Sequence, residues 1–199
     1  MPAPQIAGTA LFVRRWLRRP FAMGAVVPSG RLLAEAMARA TVEAVAGKPG
    51  HVVELGAGTG RVTRALLGAG IAPHELVLVE RDPELAAFLR GNFVGPQIIE
   101  GDAATLPGLL VGHGIGRVTA VVSSLPLLSL PADVVNGIVQ SVFEALPRDG
   151  VLVQFTYGPS PPIPRPLRER LGLVGASGRR IWRNVPPAVV WTFTRRAAA

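Results

Sequence analysis

The stretch Val52-Val53-Glu54-Leu55-Gly56-Ala57-Gly58-Thr59-Gly60 constrains this chain more than any other. A short apolar run reads as a buried strand and carries an acid near its end. Three alternating glycines follow at once, so the backbone turns sharply and a ligand can approach it without meeting a Cβ. Arg61 to Leu67 reads as the helix after the turn. Strand, glycine turn and helix make a nucleotide cradle in an open parallel sheet, with the ligand at the carboxyl end of the strand. The spacing G-x-G-x-G is one residue tighter than the dinucleotide fingerprint, which tells against a pyrophosphate and leaves room for a mononucleoside. The competing reading is a plain tight turn.

The residues that follow favour the cradle. Leu76 to Val79 is a second apolar run ending in Glu80, at about the ~20-residue interval expected of a ribose-binding acid. Ile98 and Ile99 form a third, ending in Glu100-Gly101-Asp102-Ala103, where a carboxylate could accept from an adenine amino group. This ordered set of strand-end acids resembles the class I S-adenosylmethionine-dependent methyltransferases. The resemblance implies an α/β, Rossmann-like fold with a seven-stranded, mostly parallel sheet whose last strand is antiparallel. It also implies S-adenosylmethionine as cofactor, with Glu54, Glu80 and Asp102 as contacts, and extends the cofactor set to Ser29, Gly56, Gly58, Gly60, Arg81, Ala103 and Ser123.

At 199 residues the chain is long enough to bury a full core without staples. It has no cysteine, and His51, His74 and His113 lie far apart without ligand spacing, so no metal is expected. A net charge of +8 with only 17% charged residues points to an acidic partner, either nucleic acid or an anionic membrane surface. No apolar run approaches the ~20 residues needed to cross a bilayer. The N-terminus lacks the pattern of a secretory signal, and its Arg-rich, acid-free start leaves an organellar transit peptide as a lesser alternative.

Residues 4–19 read as a helix stopping at Pro20. Ile6, Phe12, Val13, Trp16 and Leu17 fall on one side and Arg14, Arg15, Arg18 and Arg19 on the other, with Leu11 misplaced. Two readings fit: a helix packed on the core with solvated arginines, or an interfacial helix lying on a membrane. The division expected is residues 1–20 as an amphipathic membrane-docking helix and 21–199 as the methyltransferase domain. In the second part Ser29 is placed to N-cap a helix running to about Ala46, and Pro83 opens another through Phe93. Val118 to Val122 and Val151 to Phe155 read as strands four and five, separated by a helix from Ala132 to Leu146. Thr156 to Pro166, with five prolines, reads as a long loop. Arg179 to Arg183 and Ala188 to Thr194 read as a closing antiparallel pair.

Methyl transfer from a sulfonium is an in-line displacement, so the protein must position a nucleophile with a free lone pair against the methyl group. The polar groups beyond strands four and five are Ser123, Ser124, the Leu125 carbonyl and Tyr157. Such acceptors can hold an amine and stabilise positive charge growing on it. Tyr157 is also open to a purely structural reading. The catalytic candidates are Tyr157, Ser124 and Leu125.

Gly24 to Gly30, Glu54 to Gly60, Gly101-Asp102-Ala103, Val122 to Leu127, Gln154-Phe155-Thr156-Tyr157 and Ile181 to Trp191 together resemble a narrower family, the bacterial phospholipid N-methyltransferases. The resemblance implies conversion of phosphatidylethanolamine, through its mono- and dimethylated forms, to phosphatidylcholine. It implies that the amphipathic start docks on the cytoplasmic face of the inner membrane, for which the helix faces offer Phe12, Arg14, Arg15, Trp16, Leu17, Arg18 and Arg19; the partners expected are that anionic surface and the lipid, with no nucleic acid, and the chain is expected to be a monomer. One departure is Ser123-Ser124-Leu125-Pro126, where the family usually has Ser-Gly-Leu-Pro. The runner-up is a ribosomal RNA adenine N6-dimethyltransferase, which expects Asn-x-Pro-aromatic after strand four where this chain has Ser124-Leu125-Pro126-Leu127. Those enzymes also carry a C-terminal helical module for which no residues remain. A non-catalytic lipid-binding protein on the same fold is the third reading.

Overall fold

The computed structural model describes residues 28–157, 160–184 and 186–197, with side chains from Gly30 onward. The proposed membrane-docking residues Phe12 to Arg19, and the boundary at residue 20, lie outside them. Along the chain come α1 (Pro28–Val45), β1 (His51–Leu55), α2 (Arg61–Gly68), β2 (Leu76–Glu80), α3 (Pro83–Asn92) and β3 (Gln97–Glu100). They are followed by α4 (Leu106–Gly112), β4 (Val118–Ser123), α5 (Ala132–Ala145), β5 (Val151–Thr156), α6 (Arg165–Arg170), β6 (Leu173–Ser177) and β7 (Val189–Arg195).

One sheet of seven strands runs in the order β3-β2-β1-β4-β5-β7-β6. β1 to β5 are parallel, and β7 lies antiparallel between β5 and β6. The expected architecture is therefore present. Because helices cover both faces, the strands are apolar on both sides. Val53, Leu55, Val77 and Val79 point into a core with Leu106, Leu110, Ile138, Val142 and Phe193. Val52, Leu76 and Leu78 point into a second core with Met37, Leu66, Leu89 and Phe155. Strand order reverses between β1 and β4, and the crevice outside the carboxyl ends of the strands at that switch point is where open sheets bind ligands.

Local chemistry explains the elements that were legible. Pro83 occupies the first turn of α3, and Asp82 caps the helix, its Oδ1 accepting from the N–H of Glu84 at 2.9 Å and of Leu85 at 3.3 Å. Such a cap stabilises by about 1 kcal/mol. α1 begins at Pro28, which makes Ser29 its second residue rather than its cap.

Two regions differ from expectation. The partner of β7 is Leu173–Ser177, not residues 179–183, which contribute only an isolated bridge between Ile181 and Ala188. Leu173-Val174-Gly175-Ala176-Ser177 has little intrinsic strand preference. It is a strand because Gly175 passes beneath Phe193 of β7, where a Cβ would sit 2.5 Å from Cε1. The proline-rich stretch also ends sooner than expected: α6 starts at Arg165, with Pro166 in its first turn where the missing N–H costs nothing. Among the described residues no helix is long and apolar enough to cross a membrane.

Candidate functional site

The glycine turn lies at the switch point, with Gly56, Gly58 and Gly60 all left-handed, at φ +68°, +56° and +74°. Each serves a different need. Gly56 has the Leu125 side chain directly over it, so a Cβ would come within 2.6 Å of Leu125 Cδ2. Gly60 caps α2 beneath the Phe93 ring, which a Cβ would strike. At Gly58 a Cβ would meet nothing closer than the Gly56 carbonyl oxygen at 3.9 Å, so this part of the backbone faces open space.

Glu80, at the end of β2, is almost fully buried against the turn. Its Oε2 accepts from the Gly58 N–H at 2.8 Å and its Oε1 from the Asp82 N–H at 2.9 Å. The turn amide that a phosphate cradle would offer to an anion is thus already held by a carboxylate. Next along the edge, Asp102 accepts from the Ala104 N–H at 2.9 Å and pairs with Arg81, Nη1 to Oδ2, at 3.3 Å. Both side chains are about half exposed, and Ala103 is buried beside them. Glu80, Arg81, Asp102, Ala103 and the glycines therefore form one continuous edge.

Glu54 lies apart from that edge. Its carboxyl is fully buried under α2, with Oε2 accepting from the Thr63 hydroxyl at 2.7 Å and Oε1 without a hydrogen-bond partner among the described residues. Burial pushes its pKa up to about 8; the Thr63 hydroxyl and amide pull the other way, and the Glu80 carboxylate adds a further upward push. Ser29 belongs to the first turn of α1, and its side chain lies outside the described residues.

Beyond β4 and β5 the predicted acceptors converge. The register pairs Leu55 with Ser123, Ser123 with Gln154 and Gln154 with Trp191, one row across four strands. Ser123 Oγ accepts from the Leu125 N–H at 3.3 Å, and Ser124 Oγ is buried without a partner among the described residues. The Leu125 carbonyl accepts from Gln154 Nε2 at 2.9 Å and from the Leu127 N–H at 2.9 Å, two bonds that together fix its direction. Tyr157 stands at the end of β5, its ring edge-on to Phe155 with centroids 5.2 Å apart and 46% of its surface exposed. Burial of the rest pushes its hydroxyl above the usual tyrosine range, and the nearby Arg61 cation pulls it back.

Three residues at this site were not foreseen as site residues. Thr63 gave no local signal, because its role is a contact with Glu54 from the following helix. Gln154 did, being the single polar residue in Val151-Leu152-Val153-Gln154-Phe155. Arg61 follows the last glycine directly, and its guanidinium lies against Gly30 of α1 and joins no ion pair among the described residues.

No protein-family model matches the chain. Among solved structures it is similar to magnesium protoporphyrin IX methyltransferase of Synechocystis, solved with bound S-adenosylmethionine (TM-score 0.68, 14% identity, 98% of this chain and 99% of that one). It is likewise similar to 1,6-didemethyltoxoflavin N1-methyltransferase of Burkholderia thailandensis, solved with its namesake ligand and S-adenosylhomocysteine (TM-score 0.67, 17% identity, 99% and 92%). At these identities the likeness is one of fold. In sequence it is 38% identical to a probable ribosomal RNA small subunit methyltransferase A of Haloquadratum walsbyi over 120 residues, which span only 33% of that protein. To the ornithine lipid N-methyltransferase of Singulisphaera acidiphila it is 31% identical over 153 residues, 75% of this chain and 78% of the relative. With that coverage on both sides, the chain belongs to the lipid N-methyltransferase family of class I S-adenosylmethionine-dependent methyltransferases.

Proposed function

We propose that the chain methylates the headgroup amine of phosphatidylethanolamine and of its mono- and dimethylated forms, giving phosphatidylcholine, on the cytoplasmic face of the inner membrane. The observation that carries this reading is the turn Ser124-Leu125, pinned at the Leu125 carbonyl by Gln154 Nε2 and the Leu127 N–H, which holds the Ser124 hydroxyl buried and without a partner among the described residues. An amine with an N–H to donate is the chemistry such an unfilled acceptor suits.

The residues present fit S-adenosylmethionine, a nucleoside without phosphate. The bare backbone at Gly58 admits a flat group, and the carboxylate floor of Glu80 suits ribose hydroxyls and a cation while repelling a phosphate. In this reading Glu80 keeps its two backbone bonds and accepts from ribose with its remaining lone pairs. Asp102 takes the adenine amino group, with Arg81 holding its carboxylate in place. Ser29, Ala103 and Ser123 complete the proposed contacts, and Glu54, fully buried under α2, holds that helix through Thr63 rather than touching the cofactor. The bound cofactor supplies an electrophilic methyl group. For the protein there remains the positioning of a neutral amine in line with it, and stabilisation of the ammonium charge as it grows. The Ser124 and Tyr157 hydroxyls accept from the N–H groups of the primary and secondary amines; the dimethylated amine, which has none, is served by the negative ends of these hydroxyls and of the Leu125 carbonyl dipole as positive charge grows on it. Arg61, uncommitted and within electrostatic reach of Tyr157, pairs with the phosphodiester adjoining the ethanolamine.

Two further elements belong to the reading. Residues 1–20 dock on an anionic membrane, and the enzyme works as a monomer without nucleic acid. The test is methylation with labelled cofactor on mixed vesicles, followed by chromatography of the lipids. Label in mono-, di- and trimethylated phosphatidylethanolamine is the expected result. Label confined to ornithine lipid would replace the substrate, and label only in ribosomal RNA would replace the function.

A further inference from the structure

The turn between β6 and β7, described over residues 178–184 and 186–188, lies at the same edge of the sheet as the site. β6 runs with the parallel strands and ends at Ser177, and β7 begins at Val189 opposite Thr156 at the end of β5. The turn is tied down from within. Ile181 and Ala188 form a bridge, the Asn184 N–H donates to the Ile181 carbonyl at 3.1 Å, and the buried Asn184 side chain donates to the Pro186 carbonyl at 2.6 Å. What this turn presents at the surface is an indole. Trp182 is 70% exposed, with the Arg180 guanidinium 5.0 Å from its ring centre.

The charge around it is of one sign. From Leu171 to Ala199 there is no Asp or Glu, and Arg179, Arg180 and Arg183 enter no ion pair among the described residues. A turn that carries a tryptophan and three arginines on the surface, beside the half-exposed Tyr157, is suited to meet something apolar and anionic together. A bilayer surface has both properties at the depth where an indole settles, with phosphates just above.

We propose that the β6–β7 turn is a membrane contact of this enzyme, in which Trp182 enters the headgroup layer while Arg179, Arg180 and Arg183 engage anionic lipid phosphates. The contact turns the Leu125–Tyr157 edge toward the bilayer, independently of residues 1–20. It rests on the reading that the substrate is a lipid.

The test uses the full chain carrying Trp182→Ala, and separately the triple change Arg179→Glu, Arg180→Glu and Arg183→Glu, each checked for calorimetric S-adenosylmethionine binding. Co-sedimentation is measured with phosphatidylcholine vesicles with and without phosphatidylglycerol. Methylation is measured on phosphatidylethanolamine in vesicles and on a short-chain form kept below its micellar concentration. From roughly a fivefold effect per arginine near anionic lipid, the triple variant loses about a hundredfold or more in binding to anionic vesicles. Trp182→Ala weakens binding to both vesicle types, and both variants methylate the monomeric lipid as the parent does. Parental vesicle binding in both variants overturns the proposal. So does an equal loss on monomeric and vesicular substrate, which would mean that the turn acts inside the site, and so does loss of single-stranded RNA binding with vesicle binding intact. If the parent methylates neither lipid form, the function falls instead, and the co-sedimentation result still decides the turn.

Discussion

Glu80 Oε2 accepts from the backbone N–H of Gly58 at 2.8 Å, so the acid that ends β2 also fixes the middle glycine of the turn that follows β1. Its other oxygen holds the Asp82 N–H, which orients the residue that caps α3. One buried carboxylate therefore joins two turns of the candidate cofactor edge, and its loss is expected to be felt in the fold as well as in binding.

Glu80→Ala leaves two backbone N–H groups without their charged acceptor. Hydrogen bonds to charged groups contribute about 1.5 to 3 kcal/mol each. Denaturant unfolding should show a loss of roughly 3 to 6 kcal/mol for the pair. Calorimetry at a temperature where the variant is folded should show cofactor affinity down by about 10- to 100-fold. Parental affinity in the folded variant would remove Glu80 from the cofactor site.

Glu54 makes stability depend on pH in a direction that can be worked out. Its folded pKa is raised from 4.5 to about 8, so between those values the folded protein keeps a proton that the unfolded chain has lost. Stability contributed by this group therefore falls as pH rises through that window, by about 1.4 kcal/mol per unit, and levels off above it. Glu54→Gln removes the titration. Thermal or denaturant unfolding of the two proteins side by side should show the variant gaining on the parent from about pH 5 to about pH 8. A constant difference across that range would mean that Glu54 is ionised in the fold.

What was legible in the sequence was what depends on neighbours in the chain. The turn at Gly56 to Gly60 needs three left-handed residues in a row of alternate positions, and only glycine takes that conformation cheaply, so the motif survives without any tertiary information. Strand-end acids were legible for the same reason, since Glu80 and Asp102 each close an apolar run. β6 was not, because its strand character comes from Phe193 above Gly175, eighteen residues on, and not from Gly-Ala-Ser itself. The same holds for Glu54, whose carboxyl is bonded by Thr63 of α2, and for the Leu125 carbonyl, which accepts from Gln154 on the next strand as well as from the Leu127 N–H.

The two kinds of glycine separate cleanly by substitution. Gly60 is left-handed at φ +74° and lies beneath Phe93 and Leu89, so Gly60→Ala combines about 1 to 2 kcal/mol of backbone strain with a clash against the ring. Gly68, the last residue of α2, has open space where a Cβ would go and no left-handed backbone. Gly68→Ala should be neutral or stabilising by up to about 1 kcal/mol. Denaturant unfolding of the pair measures both, and equal effects would contradict the role assigned to the turn.

Tyr157 provides the sharpest separation between binding and chemistry. Its hydroxyl is pushed above the usual tyrosine range, so it remains protonated through neutral and mildly alkaline pH and serves as a neutral hydrogen-bonding group rather than a phenolate base. Tyr157→Phe keeps the edge-on contact with Phe155 and deletes only the oxygen. If that oxygen steadies the amine as charge grows on it, kcat should fall by about 10- to 100-fold while cofactor affinity stays at the parental value. The shape of the pH profile through neutral and mildly alkaline pH should not change, because the hydroxyl removed stays protonated there. Arg61→Ala should act differently, raising KM for a phosphate-bearing headgroup with a smaller effect on kcat, since an ion pair to the phosphodiester forms in ground and transition state alike. Steady-state kinetics on monomeric short-chain phosphatidylethanolamine measures both variants free of membrane binding. A Tyr157→Phe enzyme with parental kcat would return the residue to a structural role, and an Arg61→Ala enzyme with parental KM would free the phosphate of its proposed partner.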